Sequence, residues 1–196
     1  MEGTNPVNKK LAAALSGGAV LVLALSGCSS DNGNEKLNSW AKSVCDAVQP
    51  QAKKIEDANA AIQKETSDNS KPADVQSTDS QAFQDMSDAY KAIGAAVNKA
   101  GAPAVSGGAK KQKDAVKELN DISGSYADLK KQVDKLDTKD QAKFADGLKG
   151  IATQLDKLSQ SGSDALKKLE EGEVGKAMAK QPTCKSASAS PAAAKN

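Results

Sequence analysis

Residues 78–100 read TDSQAFQDMSDAYKAIGAAVNKA, and the large apolar side chains fall at Phe83, Met86, Tyr90, Ile93 and Val97, in steps of three, four, three and four. That spacing sets all five on one stripe of an α-helix, ready to be buried against a neighbour. Thr78 and Gln81 have the spacing of a capping box and Asp79 suits the positive end of a helix, so the helix is expected to start at Thr78. Gly101-Ala102-Pro103 stops it, and Ser106-Gly107-Gly108 completes a turn.

The same signature recurs on both sides. Upstream, Leu37, Ala41, Val44, Val48, Ile55, Ala58 and Ile62 form a first stripe, in which Pro50 predicts a kink or brief break near Val48 to Gln51. Ser67 to Ser77 reads as a loop by composition and by Pro72. Downstream, a third helix is expected from Ala109 to Leu136 through Leu119, Ile122, Tyr126, Leu129 and Val133. Thr138 and Gln141 offer a second capping-box spacing. Phe144, Leu148, Ile151, Leu155 and Leu158 form a fourth stripe that misses the rows of the third by one position, so the chain is expected to turn between them. Leu166 and Leu169 resume the stripe after a predicted break at Gly162, and a last short segment holds Val174 and Met178 and ends near Pro182. Amphipathic helices of this kind are marginal alone and become stable by burying their stripes together. The fold class is therefore all-α, an antiparallel up-down-up-down bundle of about four helices.

The N-terminal 27 residues have a different character. Lys9 and Lys10 precede an apolar run from Leu11 to Leu25, and small residues at Ser26 and Gly27 lead into Cys28. Leu25-Ser26-Gly27-Cys28 looks like a bacterial lipobox. In proteins it resembles, the Cys28 thiol receives a diacylglyceryl group and a peptidase cuts before it. Residues 1–27 would then be a lipoprotein signal peptide, and the protein would sit on the outer face of the cell membrane, held by lipid on Cys28. An uncleaved anchor is the competing reading, but the run is shorter than the roughly twenty residues a span needs and is diluted by Ser16, Gly17 and Gly18. An ordinary secretory cleavage would leave the cysteine without a role.

With Cys28 lipidated, Cys45 and Cys184 remain as an even pair in an exported chain and are expected to form one disulfide. A thiol pair for metal or redox work is the alternative, without Cys-x-x-Cys spacing or histidine to support it. An up-down-up-down bundle brings the start of its first helix and the end of its fourth to one end, as such a bond requires. Residues 28–34 read as a lipidated polar tether, able to span on the order of 20 Å when extended. Residues 35–184 form the bundle domain, and 185–196 (KSASASPAAAKN) form a disordered tail.

Charge and composition narrow the chemistry. The chain carries 27 basic and 25 acidic side chains, with every cation a lysine and no histidine, so neither polyanion binding nor nucleic-acid recognition is indicated. Zinc hydrolysis, Ser-His and Cys-His catalysis and di-iron chemistry all need residues that are lacking. Paired carboxylates would suffice for glycoside chemistry, yet the acids sit among lysines on the polar faces, as in Lys53-Lys54-Ile55-Glu56-Asp57. The chain is read as no enzyme, with no catalytic residues, no metal and no cofactor. Three lysines at Lys110, Lys111 and Lys113 stand where a helix start disfavours them; they mark either an exposed basic turn or a site for anionic wall polymer or lipid headgroups. Trp40, the single tryptophan, is expected to pack over the disulfide.

Trp40-Ala41-Lys42-Ser43-Val44-Cys45-Asp46, the following Gln49-Pro50-Gln51 and the late Pro182-Thr183-Cys184 resemble the small secreted lipoproteins of actinobacteria. The resemblance implies a lipid anchor, a helical body and paired cysteines, and supplies no site. The function expected is that of a lipid-anchored binding, interaction or spacer module at the cell envelope, with an envelope protein or wall polymer as partner and no nucleic acid. The alternative is a small-ligand binder with a cleft between its Ala- and Gly-rich helices.

Overall fold

Helix α1 runs unbroken from Ser29 to Glu65 in a computed structural model that describes residues 29–65 and 70–188, without the side chains of 29–32, 159–166 and 186–188. It is followed by α2 (Pro72–Ala100), α3 (Gly108–Val133), α4 (Gln141–Leu169), α5 (Glu173–Met178) and α6 (Pro182–Ser188), with no strand among the described residues. The fold is all-helical, as its stripes predict. Leu25, Ser26, Gly27 and Cys28 lie outside the described residues, as do 66–69 and 189–196 of the expected tail.

Several boundaries differ from the sequence reading. Residues 29–34, expected as a flexible tether, belong to α1; once Leu37 and Trp40 are packed, each added residue extends the helix for one more hydrogen bond, without a new nucleus. As helix these six residues rise only about 9 Å. Pro50 does not interrupt α1, whose stripe is buried on both sides of it at Val44 and Ala58. Helix α2 begins at Pro72 and not at Thr78. A proline in the first helical position lacks only an N–H that the first turn leaves unpaired anyway, and Val75 extends the buried stripe backwards. The expected Thr78–Gln81 capping box consequently lies inside the helix.

Helix α3 ends at Val133, three residues early, where Gln76 Nε2 of α2 donates to Val133 O at 2.8 Å, beside the Leu136 N–H that donates to the same oxygen, and to Leu136 O at 2.9 Å. Gln76→Ala strands Leu136 O and leaves Val133 O with only the Leu136 N–H at 3.1 Å, and is expected to lower the unfolding free energy by about 1–2 kcal/mol in denaturant titration. Loss of no more than about 0.3 kcal/mol would mean that water replaces the amide fully.

The turn between α3 and α4 is present, but its cap is Asp140, where Thr138 was expected. The Lys143 backbone N–H donates to Asp140 Oδ1 at 3.1 Å, and that bond holds the carboxyl below its ordinary range. Helix α4 shows no break at Gly162. From Leu158 the steps of four, three and four pass through Gly162 and Ala165 to Leu169, so the stripe is thinned there and not shifted. Residues 185–188, assigned to the loose tail, continue α6 behind Pro182.

The side chains bury in two clusters. One joins Leu37, Trp40, Ala41, Val44 and Cys45 of α1 to Ile93 and Val97, Ala115 and Leu119, Leu169, and Val174, Met178 and Cys184. The other joins Ala58 to Ala82, Phe83 and Met86, to Ile122, Tyr126, Leu129 and Val133, and to Ile151. Helix α2 packs on α1 and α3, and α4 packs on α3, while α5 and α6 lie against α1. Between α2 and α3, Gly107 turns with φ 70°, and a Cβ on Gly108 would come within 2.1 Å of Pro103 O, so the Gly-Gly pair is sterically required.

Candidate functional site

The Cys45–Cys184 disulfide closes the first cluster, with Cα atoms 4.9 Å apart and 139 residues between them in sequence. Cys45 is fully buried and Cys184 is 9% exposed. Thr183 Oγ1 donates to Asp46 Oδ1 at 3.0 Å beside it, and Lys42 pairs with the same carboxylate; together they hold Asp46 below its ordinary range, the lysine contributing more. Trp40 is buried in this cluster and its Nε1 donates to Gly101 O at 2.8 Å, tying the start of α1 to the end of α2. The indole therefore has a partner inside the protein and is not a free interfacial anchor.

The lysines at the start of α3 border a surface depression of about 310 Å³ with Asp114, Glu118, Lys168 and Glu171. Two of its lysines are engaged. Lys110 pairs with Asp114 at 2.5 Å, and Lys111 donates to Lys168 O at 3.0 Å while lying 3.8 Å from Glu171. Lys111 thus caps the negative end of α4, which explains a cation where the α3 dipole disfavours one. A second depression, about 510 Å³, is bordered by Asn34, Glu35, Asn38, Ser39, Lys42 and Gln181 at the surface near the disulfide. No group of three or more potential metal ligands occurs among the described residues.

The acids follow the solvated-face reading almost throughout. Lys53–Asp57, Lys117–Asp121 and Lys130–Asp134 are ion pairs across one helical turn on the outer faces. Asp79 breaks the pattern. It is 6% exposed, its Oδ1 is buried without a hydrogen-bond partner among the described residues, and burial pushes its carboxyl up to about 6, with repulsion from Glu65 of α1 adding to the shift. Sequence reading assigned Asp79 to a helix start. The signal that identifies it is the seam itself: Asp79 stands four residues before Phe83, so it occupies the next core position of the 83-86-90-93-97 stripe.

At the α2–α3 contact the two buried serines are paired. Ser87 Oγ donates to Ser123 O at 2.8 Å, and Tyr90 stacks on Tyr126 with ring centroids 5.5 Å apart. Burial raises both phenols above their ordinary value. Gln51 Oε1 of α1 is the other buried side-chain oxygen without a hydrogen-bond partner among the described residues.

No family model matches the chain, and no curated protein or solved structure does so either.

Proposed function

We propose that this protein is a lipid-anchored interaction or spacer module on the outer face of the cell membrane. The observation that carries the reading is Leu25-Ser26-Gly27-Cys28 at the end of a basic and then apolar leader. The disulfide supports it, because such bonds persist in exported proteins. No helix among the described residues is long and apolar enough to cross a membrane, so within them nothing competes with lipid on Cys28 as the anchor. The body is read as an up-down-up-down bundle. Trp40 to Gly101, Gln76 to Val133 and Lys111 to Lys168 each join the start of one helix to the end of its neighbour, as that topology requires.

The reading assigns the chain no catalysis and no nucleic acid: it has no histidine, its lysine and acid numbers nearly balance, and several of its surface lysines, such as Lys53, Lys110 and Lys117, pair with neighbouring acids. Its partner is an envelope protein or a wall polymer met by the helical surface. An interior ligand cleft gains no support from the two depressions, which lie at the surface and are bordered chiefly by charged and amide side chains. Because α1 starts at Ser29, the anchor would pass into the body through a helix and not a flexible leash. Cys28→Ser is expected to shift the protein from the membrane fraction to the medium, or to leave it unprocessed, and to abolish incorporation of labelled palmitate. A processed variant with unchanged detergent partitioning would overturn the lipoprotein assignment.

A further inference from the structure

Asp79 is buried between α1 and α2, in the part of the fold that the disulfide does not staple. It stands one step before Phe83 on the α2 stripe, which the second cluster packs with Ala58 of α1, Ala82 and Met86 of α2, and Ile62 against them. Glu65, at the last residue of α1, is the charged group acting on it across this interface among the described residues. From α3, the stretch opposite the first turns of α2 carries Lys130, bound to Asp134 at 2.7 Å, and Lys131, bound to Asp128 at 2.9 Å. Ser80 bonds to Asp134 as well. These two lysines are thus engaged by acids of their own stretch of chain. Lys64 on α1 and Lys71 and Asp74 on α2 are exposed to water. An ionised Asp79 would have one oxygen in an apolar interface with no donor and a second carboxylate nearby, an arrangement that burial makes unfavourable.

We propose that Asp79 and Glu65 form a proton-operated latch: with Asp79 protonated the last turns of α1 close on Phe83, and with Asp79 ionised they part and expose that apolar surface. The sign follows from linkage. The folded carboxyl titrates near 6 and the unfolded one near 3.8, so the closed form holds the extra proton between these values. Closure is favoured below the lower value, weakens as pH rises through the window, and is weakest above the higher one. Unlocking changes no covalent bond; the proton goes to water. The surface uncovered, lined by Ala58, Ile62, Ala82, Phe83 and Met86, would be open to an apolar partner at neutral pH and shut in acid.

The test is amide hydrogen exchange by mass spectrometry on the full, disulfide-bonded chain in detergent micelles, at about pH 4.5 and about pH 7.5, with rates corrected for intrinsic exchange. Segments 52–65 and 72–83 are expected to lose roughly tenfold in protection at the higher pH, while 37–48, beside the disulfide, does not change. Asp79→Asn keeps the low-pH protection at both values, and Glu65→Gln moves the transition to lower pH. Protection that is independent of pH overturns the latch. So does an equal loss in 37–48, which would report global destabilisation, or the same pH dependence in Asp79→Asn. Should Asp79→Asn fail to fold, the carbon-13 titration of the Asp79 carboxyl in the unaltered chain decides: a midpoint above about 5 supports the latch, and one below it overturns it.

Discussion

Replacing Cys45 and Cys184 together by alanine is expected to lower the unfolding free energy by about 5 kcal/mol, the largest loss that any small change in this chain should produce. The figure comes from the unfolded state. Removing a crosslink across 139 residues returns loop-closure entropy to the denatured chain, and in the chain-entropy account that gain grows with the logarithm of the loop. The surface ion pairs cannot compensate, since exposed pairs such as Lys53–Asp57 contribute only about 0–1 kcal/mol each. Locally, the change also frees α6, and with it the cover over Ala41 and Val44 in the first cluster. Urea unfolding followed by helical circular dichroism measures the loss directly. A difference under about 1 kcal/mol would show that the unfolded chain is already compact enough for the crosslink to constrain little.

Phe83→Ala should be nearly as severe, at about 3–5 kcal/mol, through a different mechanism. The ring is 1% exposed, lies 6.4 Å from the Tyr126 ring, and sits in the cluster remote from the disulfide, which holds Met86, Ile122, Leu129 and Ile151 as well. Truncation removes apolar area from the core and leaves a cavity that three helices would have to move to fill. Because Phe83 and the cysteines belong to separate clusters, their effects should add to within about 0.5 kcal/mol in the triple variant. A clear shortfall would mean that the clusters unfold as coupled units. A loss under about 1 kcal/mol from Phe83→Ala alone would mean that the second cluster is not packed as described.

Much of this architecture is legible in the residues because a helix stripe is a local signal. Phe83, Met86, Tyr90, Ile93 and Val97 announce α2 wherever its partner lies, and all but the half-buried Tyr90 are buried. Cys45 and Cys184 pair as parity and compartment suggest. The turn before Gln141 is equally local, since the phase of the apolar rows changes there. Helix ends are less legible. Thr78 looks like a cap, but Pro72 six residues earlier already satisfies the first turn, and Asp140 takes the capping bond that Thr138 was expected to make. Gly162 reads as a break, yet a small residue in a stripe lowers burial without ending the hydrogen-bond ladder.

The candidate site divides in the same way. The proposed leader and lipobox, and the cysteine arithmetic, are read from the sequence alone, because a peptidase and a thiol would act on short stretches of chain, and no tertiary contact is needed to read them. Which acid is buried could not be read from composition. Asp79 stands in a run of polar residues that resembles a helix start; the Phe83 stripe puts its position on the core side, and the packing against α2 is what leaves its Oδ1 buried without a partner among the described residues. The role of Lys111 as a cap on α4, and the cover that α5 and α6 give α1, were decided there too. Periodicity determines that a face will be buried. What buries it, and which polar group is carried inside with it, depends on contacts between residues far apart in the chain.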